Sequence, residues 1–558
     1  MKFVGLDTET ISGFCRLIGL STKEHYVVRD LSDLLLFLRS QQHTHFLAYN
    51  ADYDIQSMLK YFPKKEQLYL LQGLEVDYEG IRFLYYKKKF FKFGTNWIFD
   101  VYQYYNSRLA TAAEKFLGKK KGNVDASNIT EKNIYLKKTI EYCIRDAKLC
   151  YELFMRMHKT LPKELVNVKP ISTAFYSAKY FQKELLANRI NATANSVGRE
   201  AYHGGRFEIF TKGRFEKLYC YDIVSAYPYE ICMLRSMERF RSVTHKDYLP
   251  DSTYGFYHVK VDIDNKYVSP LVNKYKGLSL FSVGKYEGVI TKAEYERIRN
   301  YPHEILSAYH VFAGSYLPFK NRMEKVFYRK CNDENKVVWK YLANSLYGKT
   351  CAAQSKYTKE MPMDNEFLNV IEKDGRSYYK IEDITNSNFI YAAVITANTR
   401  LRLYDLLIKY GDKIVMVQTD SVISTEPLDL EVNPTKLGAW SMQVWDEGYM
   451  IGSGVYFYRI GKDWFGKFRG FNFSGKKVED ILSSLLESDK CYVEFDVLKR
   501  YSIQEANRVH DEELANVIVN AVRRLNINFD KKRIWLGKWE SGKELATKQI
   551  PSIAVFIP

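Results

Sequence analysis

Residues 221–228 read YDIVSAYP, and this stretch decides how the chain is interpreted. Strand-forming residues carry the acid Asp222 and run into a turn at Pro228. A second acid, Asp420, lies in VQTDSVIS, a pattern that predicts two strands meeting at a tight acidic turn. On neighbouring strands, the two carboxylates and the backbone carbonyl of Ile223 would form a site for two divalent cations, the minimal arrangement for phosphoryl transfer.

A helix is predicted between these two acids, in ENKVVWKYLANSLYGK (residues 334–349), with Gly348 as its end. Helical spacing places four side chains on one face of it: Lys336, Lys340, Asn344 and Tyr347. Two lysines one turn apart can hold phosphates as point charges, and the tyrosine can form a wall for a base pair. A lysine stripe is usually a solvated helix face, but its setting in KYLANSLYG favours nucleotide binding.

The first 160 residues carry a second set of acids on predicted strands and helices. Asp7 and Glu9 share one side of the strand KFVGLDTET, since strand side chains alternate between the two faces. Asp54 follows the buried strand HFLAYN, and Asp146 lies one turn after Tyr142 on a predicted long helix. Four acids from three elements can enclose two ions that activate water against a phosphodiester, and oxygen ligands favour Mg²⁺ or Mn²⁺ over zinc.

These segments resemble the motifs of one enzyme family in the correct order. DTET, NADYD and YCIRD resemble the three exonuclease motifs of family B DNA polymerases, and YDIVSAYP, KYLANSLYG and QTDS resemble the polymerase motifs of the same family. The resemblance implies an α/β and α+β multidomain chain, with an RNase H-like exonuclease domain before a right-hand palm, fingers and thumb domain. It implies a DNA-directed DNA polymerase with a 3′–5′ proofreading exonuclease and two Mg²⁺ (or Mn²⁺) ions per active site.

The resemblance also implies roles for individual residues. Metal ligation falls to Asp7, Glu9, Asp54 and Asp146 in one site and to Asp222, Ile223 and Asp420 in the other. Tyr142 orients the attacking water, and Lys121, in KGNVD, lies near the scissile phosphate. Nucleotide contacts are implied for Ile223, Ser225, Tyr227 (the steric gate), Lys336, Lys340, Asn344 and Tyr347. DNA contacts are implied for Thr10, Asn50, Tyr53, Tyr202, Gly204, Gly205, Thr419, Ser421, Tyr456, Lys467 and Arg469.

Two positions depart from the family pattern. Gln418 stands where the usual DTDS motif has its first acid, which is not the main metal ligand, so we expect catalysis to survive. In GVY, Gly454 replaces the lysine of a primer-binding Lys-any-Tyr motif, whereas Tyr456 is kept. Lys467 and Arg469 in KFRGF are the candidates to supply the missing charge.

The protein-primed branch of the family is indicated by AYHGGRFE, which resembles its Tyr-any-Gly-Gly linker, and by two insertions where that branch carries its terminal-protein regions. The implied partners are template-primer DNA, dNTPs, a terminal protein that supplies the priming hydroxyl, and a single-strand DNA-binding protein. The resulting division is an exonuclease domain (1–163), palm (164–233), first insertion (234–320), fingers (321–350), second insertion (351–387), palm (388–475) and thumb (476–558). The thumb is predicted to contain a helix across LESDKCYV and ANVIVNAVRRL.

Composition is consistent with these assignments. The formal net charge of +17 favours a polyanionic partner. The 8 cysteines are scattered without a CxxC pair, which argues against a zinc site or a disulfide framework. The sequence has no apolar run long enough for a bilayer and no signal peptide, so we expect a soluble monomer in the cytoplasm, that of the host cell if the protein is viral.

Three alternatives remain at this level. A stand-alone nuclease with an inactive polymerase half is favoured only by Gln418, and Asp222 with Asp420 argues against it. A basic DNA-coating or packaging protein would not need acids in motif order. The third alternative is a polymerase that extends ordinary nucleic-acid primers only, without a priming protein.

Overall fold

The computed structural model describes residues 1–558 except 123, 125–127, 335, 353–358, 361–369, 374–375, 380–386, 471–472, 474–475 and 502–516. Among the described residues, no helix is both long and apolar enough to cross a bilayer.

The N-terminal region is built on one eight-stranded sheet, in the order β3-β2-β1-β4-β8-β7-β6-β5. Its strands are β1 (Lys2–Ile11), β2 (Phe14–Leu20), β3 (His25–Val27), β4 (Thr44–Ala48), β5 (Glu75–Tyr78), β6 (Ile81–Tyr86), β7 (Phe90–Phe93) and β8 (Asn96–Asp100). Strands β1, β4 and β8 are parallel, and the other neighbours are antiparallel. The helices are α1 (Leu31–Ser40), α2 (Asp52–Leu59), α3 (Lys64–Gln72), α4 (Leu109–Leu117) and α5 (Lys137–Lys159).

Helix α5 lies directly on β1 and β2 because two glycines leave room for it. A Cβ on Gly5 would lie 2.0 Å from the carbonyl oxygen of Ala147, and one on Gly19 would lie 2.8 Å from Sγ of Cys143. This close approach brings the α5 face that carries Tyr142 and Asp146 to the acids of β1.

Three helices, α6 (Thr173–Tyr180), α7 (Gln182–Ala187) and α8 (Ala192–Ala201), lead to the central region. There follow β9 (Phe207–Ile209), β10 (Thr211–Phe215), β11 (Leu218–Ile223) and α9 (Ala226–Met233). The next segment contains β12 (Arg241–His245), β13 (Tyr254–Ile263), β14 (Asn273–Tyr275), β15 (Leu278–Leu280), β16 (Val283–Thr291), α10 (Lys292–Ile298) and β17 (His303–Phe312).

The rest of the chain returns to the central sheets. Its elements are α11 (Lys320–Asn332), α12 (Lys336–Thr350), β18 (Lys359–Glu360), β19 (Val370–Lys373), β20 (Arg376–Tyr379), α13 (Phe389–Tyr410), β21 (Ile414–Gln418), β22 (Ser421–Ser424), β23 (Trp440–Trp445), β24 (Glu447–Gly452), β25 (Val455–Ile460), β26 (Asp463–Phe468), α14 (Val478–Leu486), β27 (Tyr492–Arg500), β28 (Ile518–Asn526), β29 (Ile534–Trp535), β30 (Ile550–Ile553) and β31 (Phe556–Ile557).

Two central sheets share the middle of the molecule, in the orders β23-β11-β22-β21-β9 and β26-β25-β24-β10-β30-β29. A third sheet, β12-β17-β13-β16-β31, occupies the range predicted as the first insertion. The last strands of the predicted thumb range join these sheets: β30 pairs with β10, and β31 pairs with β16. Much of the predicted second insertion lies outside the described residues, and its described strands form the sheet β18-β20-β19.

Three secondary-structure predictions are wrong. The turn predicted at Pro228 lies earlier, at Ser225 (φ 54°), and Pro228 sits in the first turn of α9, where its missing N–H costs nothing. Helix α12 continues past Gly348 to Thr350, because that glycine does not adopt the left-handed conformation of a helix end.

The third wrong prediction is the helix across LESDKCYV and ANVIVNAVRRL. The structure has the antiparallel pair β27 and β28 instead, with Tyr492 opposite Asn526 and Arg500 opposite Ile518. The run VIVNAV is rich in β-branched residues, which favour strands over helices.

Two candidate metal-binding sites

Asp222 and Asp420 come together because their strands pair. Strands β11 and β22 are antiparallel, with Asp222 opposite Ser421, the residue after Asp420. The Ile223 N–H donates to the carbonyl oxygen of Asp420 at 2.8 Å. The two acids are therefore neighbours at one end of this strand pair, as the sequence predicts.

The pKa values of Asp222 and Asp420 are both raised, and nearby lysines partly offset the effect. Burial, then the charge of Asp222, raises the pKa of Asp420 to about 7. Asp222 keeps access to solvent, and its pKa is also raised, mainly by desolvation. Lys467 and Lys340 lower the pKa of both carboxyls, which places two ammonium groups around the acids.

The acidic turn is held by the linker that precedes β9. Thr419 has a φ of 57°, and its N–H donates to the carbonyl oxygen of Arg206 at 2.6 Å. A Cβ on Gly205 would lie 2.9 Å from Cγ2 of Thr419, so only glycine lets the linker pack here. Gly204 is different, since a Cβ there would meet nothing within 4 Å. Ser421 closes the turn through a 3.0 Å hydrogen bond to the Gln418 carbonyl.

Both departures from the family pattern lie beside this turn. The Tyr456 hydroxyl donates to Oε1 of Gln418 at 3.1 Å, so the neutral amide accepts a buried hydrogen bond. Gly454 has a φ of 82°, and a Cβ there would lie 2.9 Å from Cβ of Arg469. In the β25–β26 hairpin, Lys467 lies opposite Tyr456. The structure thus places Arg469 beside Gly454, where the sequence pattern lacks a lysine, and Lys467 opposite the retained Tyr456.

Helix α12 brings one residue of its predicted stripe, Lys340, close to the acids. Lys336, Lys340 and Asn344 are exposed, whereas the opposite face is buried through Val338, Trp339, Leu342 and Leu346. Lys340 acts on both acids, as its effect on their pKa values shows. No contact of Lys336 or Asn344 with the acids is seen.

Three tyrosines form one cluster next to the stripe. The rings of Tyr227 and Tyr347 lie 4.4 Å apart, and the hydroxyl oxygens of Tyr347 and Tyr202 are 2.6 Å apart. The cluster joins the linker, α9 and α12 at the edge of the acidic pair.

Lys330 is a further cation that the sequence pattern did not single out. Its Nζ donates to Oγ of Ser225 at 2.6 Å, and its charge lowers the pKa of Asp222. It lies on α11, outside the motif KYLANSLYG, where one lysine among many carries no distinguishing signal.

The N-terminal acids form a second, more buried cluster. One carboxylate oxygen each of Asp7 and Glu9 lies within 4.8 Å of the other and of Sγ of Cys143. Asp54 accepts hydrogen bonds from the N–H and the hydroxyl of Thr8, at 3.1 and 2.7 Å. Asp146 is 1% exposed, and its Oδ1 has no hydrogen-bond partner among the described residues.

Burial makes the charged form of these acids unfavourable unless a cation is bound. Burial raises the pKa of Asp7 well above its usual value, and the charges of Asp54, Asp146 and Glu9 raise it further. The pKa values of Glu9 and Asp54 rise to about 7, also mainly through burial. The carboxylate oxygens of the four acids, one of them orphaned, fit divalent cations such as Mg²⁺ or Mn²⁺.

The remaining predicted residues surround these acids. Nζ of Lys121 lies 2.8 Å from Oδ2 of Asp146 and 5.2 Å from the ring centroid of Tyr142. The hydroxyls of Thr10 and Tyr53 are 2.6 Å apart, and Tyr53 is 46% exposed. Asn50 has a φ of 63°, and its N–H donates to Asp100 at 3.0 Å.

Comparisons with known proteins agree with this geometry. A family model described as "DNA polymerase type B, organellar and viral" matches residues 50–402. The DNA polymerase of Acidianus bottle-shaped virus (isolate Italy/Pozzuoli) is 24% identical over 371 residues, which cover 62% of this chain and 52% of the relative. The chain thus spans about half the length of that curated relative.

Solved structures of Phi29 DNA polymerase share the fold. Its complex with primer-template DNA and incoming nucleotide substrates has a TM-score of 0.68 and 14% identity, covering 94% of this chain and 100% of the other. Its complex with single-stranded DNA has a TM-score of 0.65 and 15% identity over the same shares. The likeness covers both the N-terminal region and the central sheets, and it confirms the predicted multidomain fold.

Proposed function

Because this chain belongs to the type B DNA polymerases of organellar and viral type, we propose that it is a DNA-directed DNA polymerase with a 3′–5′ proofreading exonuclease. The observation that carries the proposal is the convergence of Asp222 and Asp420 on the paired strands β11 and β22, below a lysine-bearing helix. Without that convergence, no site for nucleotidyl transfer would exist.

For polymerisation, Asp222, Asp420 and the Ile223 carbonyl would hold two divalent ions. When bound, such ions lower the pKa of the primer 3′-hydroxyl and neutralise charge on the triphosphate. The protein supplies the other cations: Lys340 acts on both acids and Lys330 on Asp222, and we assign both lysines, with Lys336, to the triphosphate. Lys467, on the other side, is assigned to the primer strand together with Tyr456 and Arg469.

Nucleotide selection is assigned to the tyrosine cluster. Tyr227, 4.4 Å from the Tyr347 ring, would close the space in which a ribose 2′-hydroxyl would sit. Tyr347 is held in turn by Tyr202, whose hydroxyl lies 2.6 Å away. Discrimination against ribonucleotides therefore depends on packing between the linker and α12 as well as on the gate itself.

For proofreading, Asp7, Glu9, Asp54 and Asp146 would hold the ions that activate water. Lys121, 2.8 Å from Asp146, is positioned to neutralise a scissile phosphate. Tyr142 lies one turn before Asp146 and would orient the attacking water. Thr10, Tyr53 and Asn50 are assigned to the single-stranded 3′ end.

Protein priming is the finer part of the proposal. Its support is the Tyr202–Gly205 linker and the separate sheet that residues 234–320 build together with β31. We assign that sheet to contact with a terminal protein, and the second insertion to DNA encirclement and strand displacement. Incubation with labelled dATP and the candidate terminal protein should give a labelled protein band. Extension of DNA primers without such a band would leave only the ordinary-primer alternative.

The two activities are separated by single substitutions. Asp420→Ala should abolish nucleotide incorporation and leave degradation of single strands intact, because the two acidic clusters lie on different sheets. Asp7→Ala should abolish degradation of single strands and leave nucleotide incorporation intact. Both activities should stop when divalent ions are chelated, since the ions supply several kcal/mol of transition-state stabilisation.

Each remaining alternative predicts a different result. A stand-alone nuclease would show no incorporation even as the unmodified protein. A DNA-coating protein would bind DNA equally well with and without chelator and would show neither activity. Incorporation that survives Asp420→Ala would refute the assignment of the central site.

A further inference from the structure

Cys143 lies against the N-terminal acids, and the proposed nuclease chemistry does not use it. Its Sγ and one carboxylate oxygen each of Asp7 and Glu9 lie within 4.8 Å of one another. Among the described residues, this is the one group of three or more potential metal ligands that comes so close. The thiol is completely buried and donates to the carbonyl oxygen of Asp7 at 3.4 Å.

The fold confines this sulfur to the acidic cluster. Cys143 and Asp146 are three residues apart on α5, so they share the face that packs on β1 and β2. On the other side, Gly19 leaves only the space that the sulfur fills, since a Cβ there would lie 2.8 Å from Sγ. The sulfur is therefore held beside the acids by backbone on both sides.

A second feature of the cluster points to a bound cation. Asp146 is nine-tenths buried or more, at 1% exposure, and its Oδ1 has no hydrogen-bond partner among the described residues. The other carboxylate oxygen, Oδ2, lies 2.8 Å from Nζ of Lys121. The Asp146 charge acts directly on Glu9, so the orphaned oxygen belongs to the same cluster as the thiol.

Sulfur changes which cations this cluster can bind. Mg²⁺ takes oxygen ligands, whereas Zn²⁺ and Cd²⁺ accept a thiolate together with carboxylates. Tetrahedral Zn²⁺, with bonds of about 2.0–2.3 Å, needs donors roughly 3.5 Å apart. The ligand atoms of Asp7, Glu9 and Cys143 are at most 4.8 Å apart. Rotation of the two carboxylates therefore has to shorten these distances by about 1 Å.

We propose that Asp7, Glu9 and Cys143 bind a thiophilic divalent cation, Zn²⁺ or Cd²⁺, in competition with Mg²⁺. As the metal–sulfur bond forms, the thiol proton passes to solvent and the thiolate becomes the third ligand. An ion bound in this way holds Asp7 and Glu9 in the geometry of a thiolate site instead of that of the two-ion nuclease site. Such an ion therefore stops degradation of the 3′ end. That consequence rests on the proposed nuclease function, whereas the binding itself does not.

In the binding test, Cd²⁺ alone is added to the protein. The readout is the ultraviolet charge-transfer absorption band of a cadmium–thiolate bond. The proteins are the full chain, Cys143→Ser and Cys150→Ser. Cys150 is a matched control on the same helix: it is buried, its Sγ donates to the carbonyl oxygen of Leu47 at 3.3 Å, and it is not part of the group whose ligand atoms lie within 4.8 Å of one another. The full chain and Cys150→Ser should bind one ion with the band; Cys143→Ser should lose the band and bind at least about tenfold more weakly.

A second arm measures degradation of single-stranded DNA while Zn²⁺ is added against fixed Mg²⁺. Inhibition of Cys143→Ser should require at least about tenfold more zinc than inhibition of Cys150→Ser. Thermal unfolding verifies that each variant is folded, and Cys143→Ala replaces the serine variant if it is not. Equal cadmium bands in all proteins would overturn the site. If the band depends on Cys143 but the unmodified protein has no nuclease activity, the metal site stands and the proposed nuclease function is refuted.

Discussion

At the scale of single residues, a neutral hydrogen bond from Tyr456 to Gln418 lies beside the acidic turn, at the position where the family pattern has an acid. Gln418 is 7% exposed and ends the strand that leads to Asp420. Its Oε1 is buried and accepts from the Tyr456 hydroxyl at 3.1 Å. A neutral pair of this kind holds the strand end without adding a third negative charge to Asp222 and Asp420.

Removing both partners of this pair should cost less than the sum of removing each partner alone. Tyr456→Phe leaves a buried acceptor without this donor and should lower the free energy of unfolding by about 1–3 kcal/mol. Tyr456→Phe combined with Gln418→Leu should cost less than the sum of the two single changes, because both partners become apolar. Denaturant unfolding of the three variants measures the coupling. Additive losses would show that the hydrogen bond contributes nothing.

The raised pKa values predict how pH and metal ions act together on stability. The pKa values of Glu9, Asp54 and Asp420 are about 7 in the folded protein without metal, against ordinary values of 4.5, 3.8 and 3.8. Between about pH 4 and 7 the folded state then binds more protons than the unfolded state, so its stability falls as pH rises. Bound Mg²⁺ favours the deprotonated acids and offsets this loss.

The increase in Tm on adding saturating Mg²⁺ should therefore be small near about pH 5 and large near about pH 8. Thermal unfolding with Mg²⁺ and with chelator, at both pH values, measures this difference. Replacing Glu9 and Asp54 by their amides should reduce the increase, because fewer raised groups remain. A pH-independent increase would contradict the assignment of these acids as metal ligands.

At the scale of elements, helix packing distinguishes two glycines that look alike in the sequence. Gly348 lies in the last turns of α12, is exposed, and would place a Cβ where no atom lies within 4 Å. Gly198 lies in α8, and its Cβ would be 2.5 Å from the backbone nitrogen of Ile390 and the carbonyl carbon of Phe389. The first glycine is free of its neighbours, and the second is needed for α8 to contact α13.

Opposite effects are expected from the same substitution at these sites. Gly348→Ala should raise the free energy of unfolding by about 0.5–1 kcal/mol, because alanine is the better helix former. Gly198→Ala should lower it by about 1–3 kcal/mol, since backbone atoms cannot move aside. Denaturant midpoints of both variants test the pair. A Gly198→Ala protein as stable as the original would show that α8 and α13 do not pack this closely.

At the scale of the whole molecule, the net charge of +17 suits a protein that holds DNA by its phosphates. The logarithm of the DNA association constant should fall linearly with the logarithm of salt concentration, with a slope of ~0.9 per neutralised phosphate on duplex DNA. Binding of several unrelated duplexes across a salt series measures the slope. Nearly flat affinity, or slopes that differ strongly between sequences, would reject a grip on the backbone.

A buried ionic network joins distant parts of the chain at this scale. Glu208 accepts from Nε of Arg206 at 2.7 Å and from Nη1 of Arg533 at 2.9 Å, and all three residues are at most 4% exposed. Arg206 also donates to the carbonyl oxygen of Ser269, and Arg533 donates to that of Tyr267. The linker, the segment predicted as the first insertion and the C-terminal strands therefore meet directly behind the acidic turn.

What the sequence determined by itself is local. The strand–turn–strand around Asp420, the α12 stripe and the shared helix face of Tyr142 and Asp146 follow from side-chain periodicity, which acts between residues close in the chain. The motif order was sufficient to predict the fold, and the comparisons confirm it. Local patterns failed where two structures compete over a short range, as in the β27–β28 hairpin.

The tertiary structure decided the contacts between distant segments that no motif pattern predicts. Lys330 and Lys467 face Asp222 from separate elements, Cys143 meets Asp7 across a helix–sheet contact, and β31 finds its partner in a sheet more than 260 residues upstream. Coulomb forces, metal coordination and strand pairing depend on distance in space, which no spacing along the chain encodes for residues so far apart.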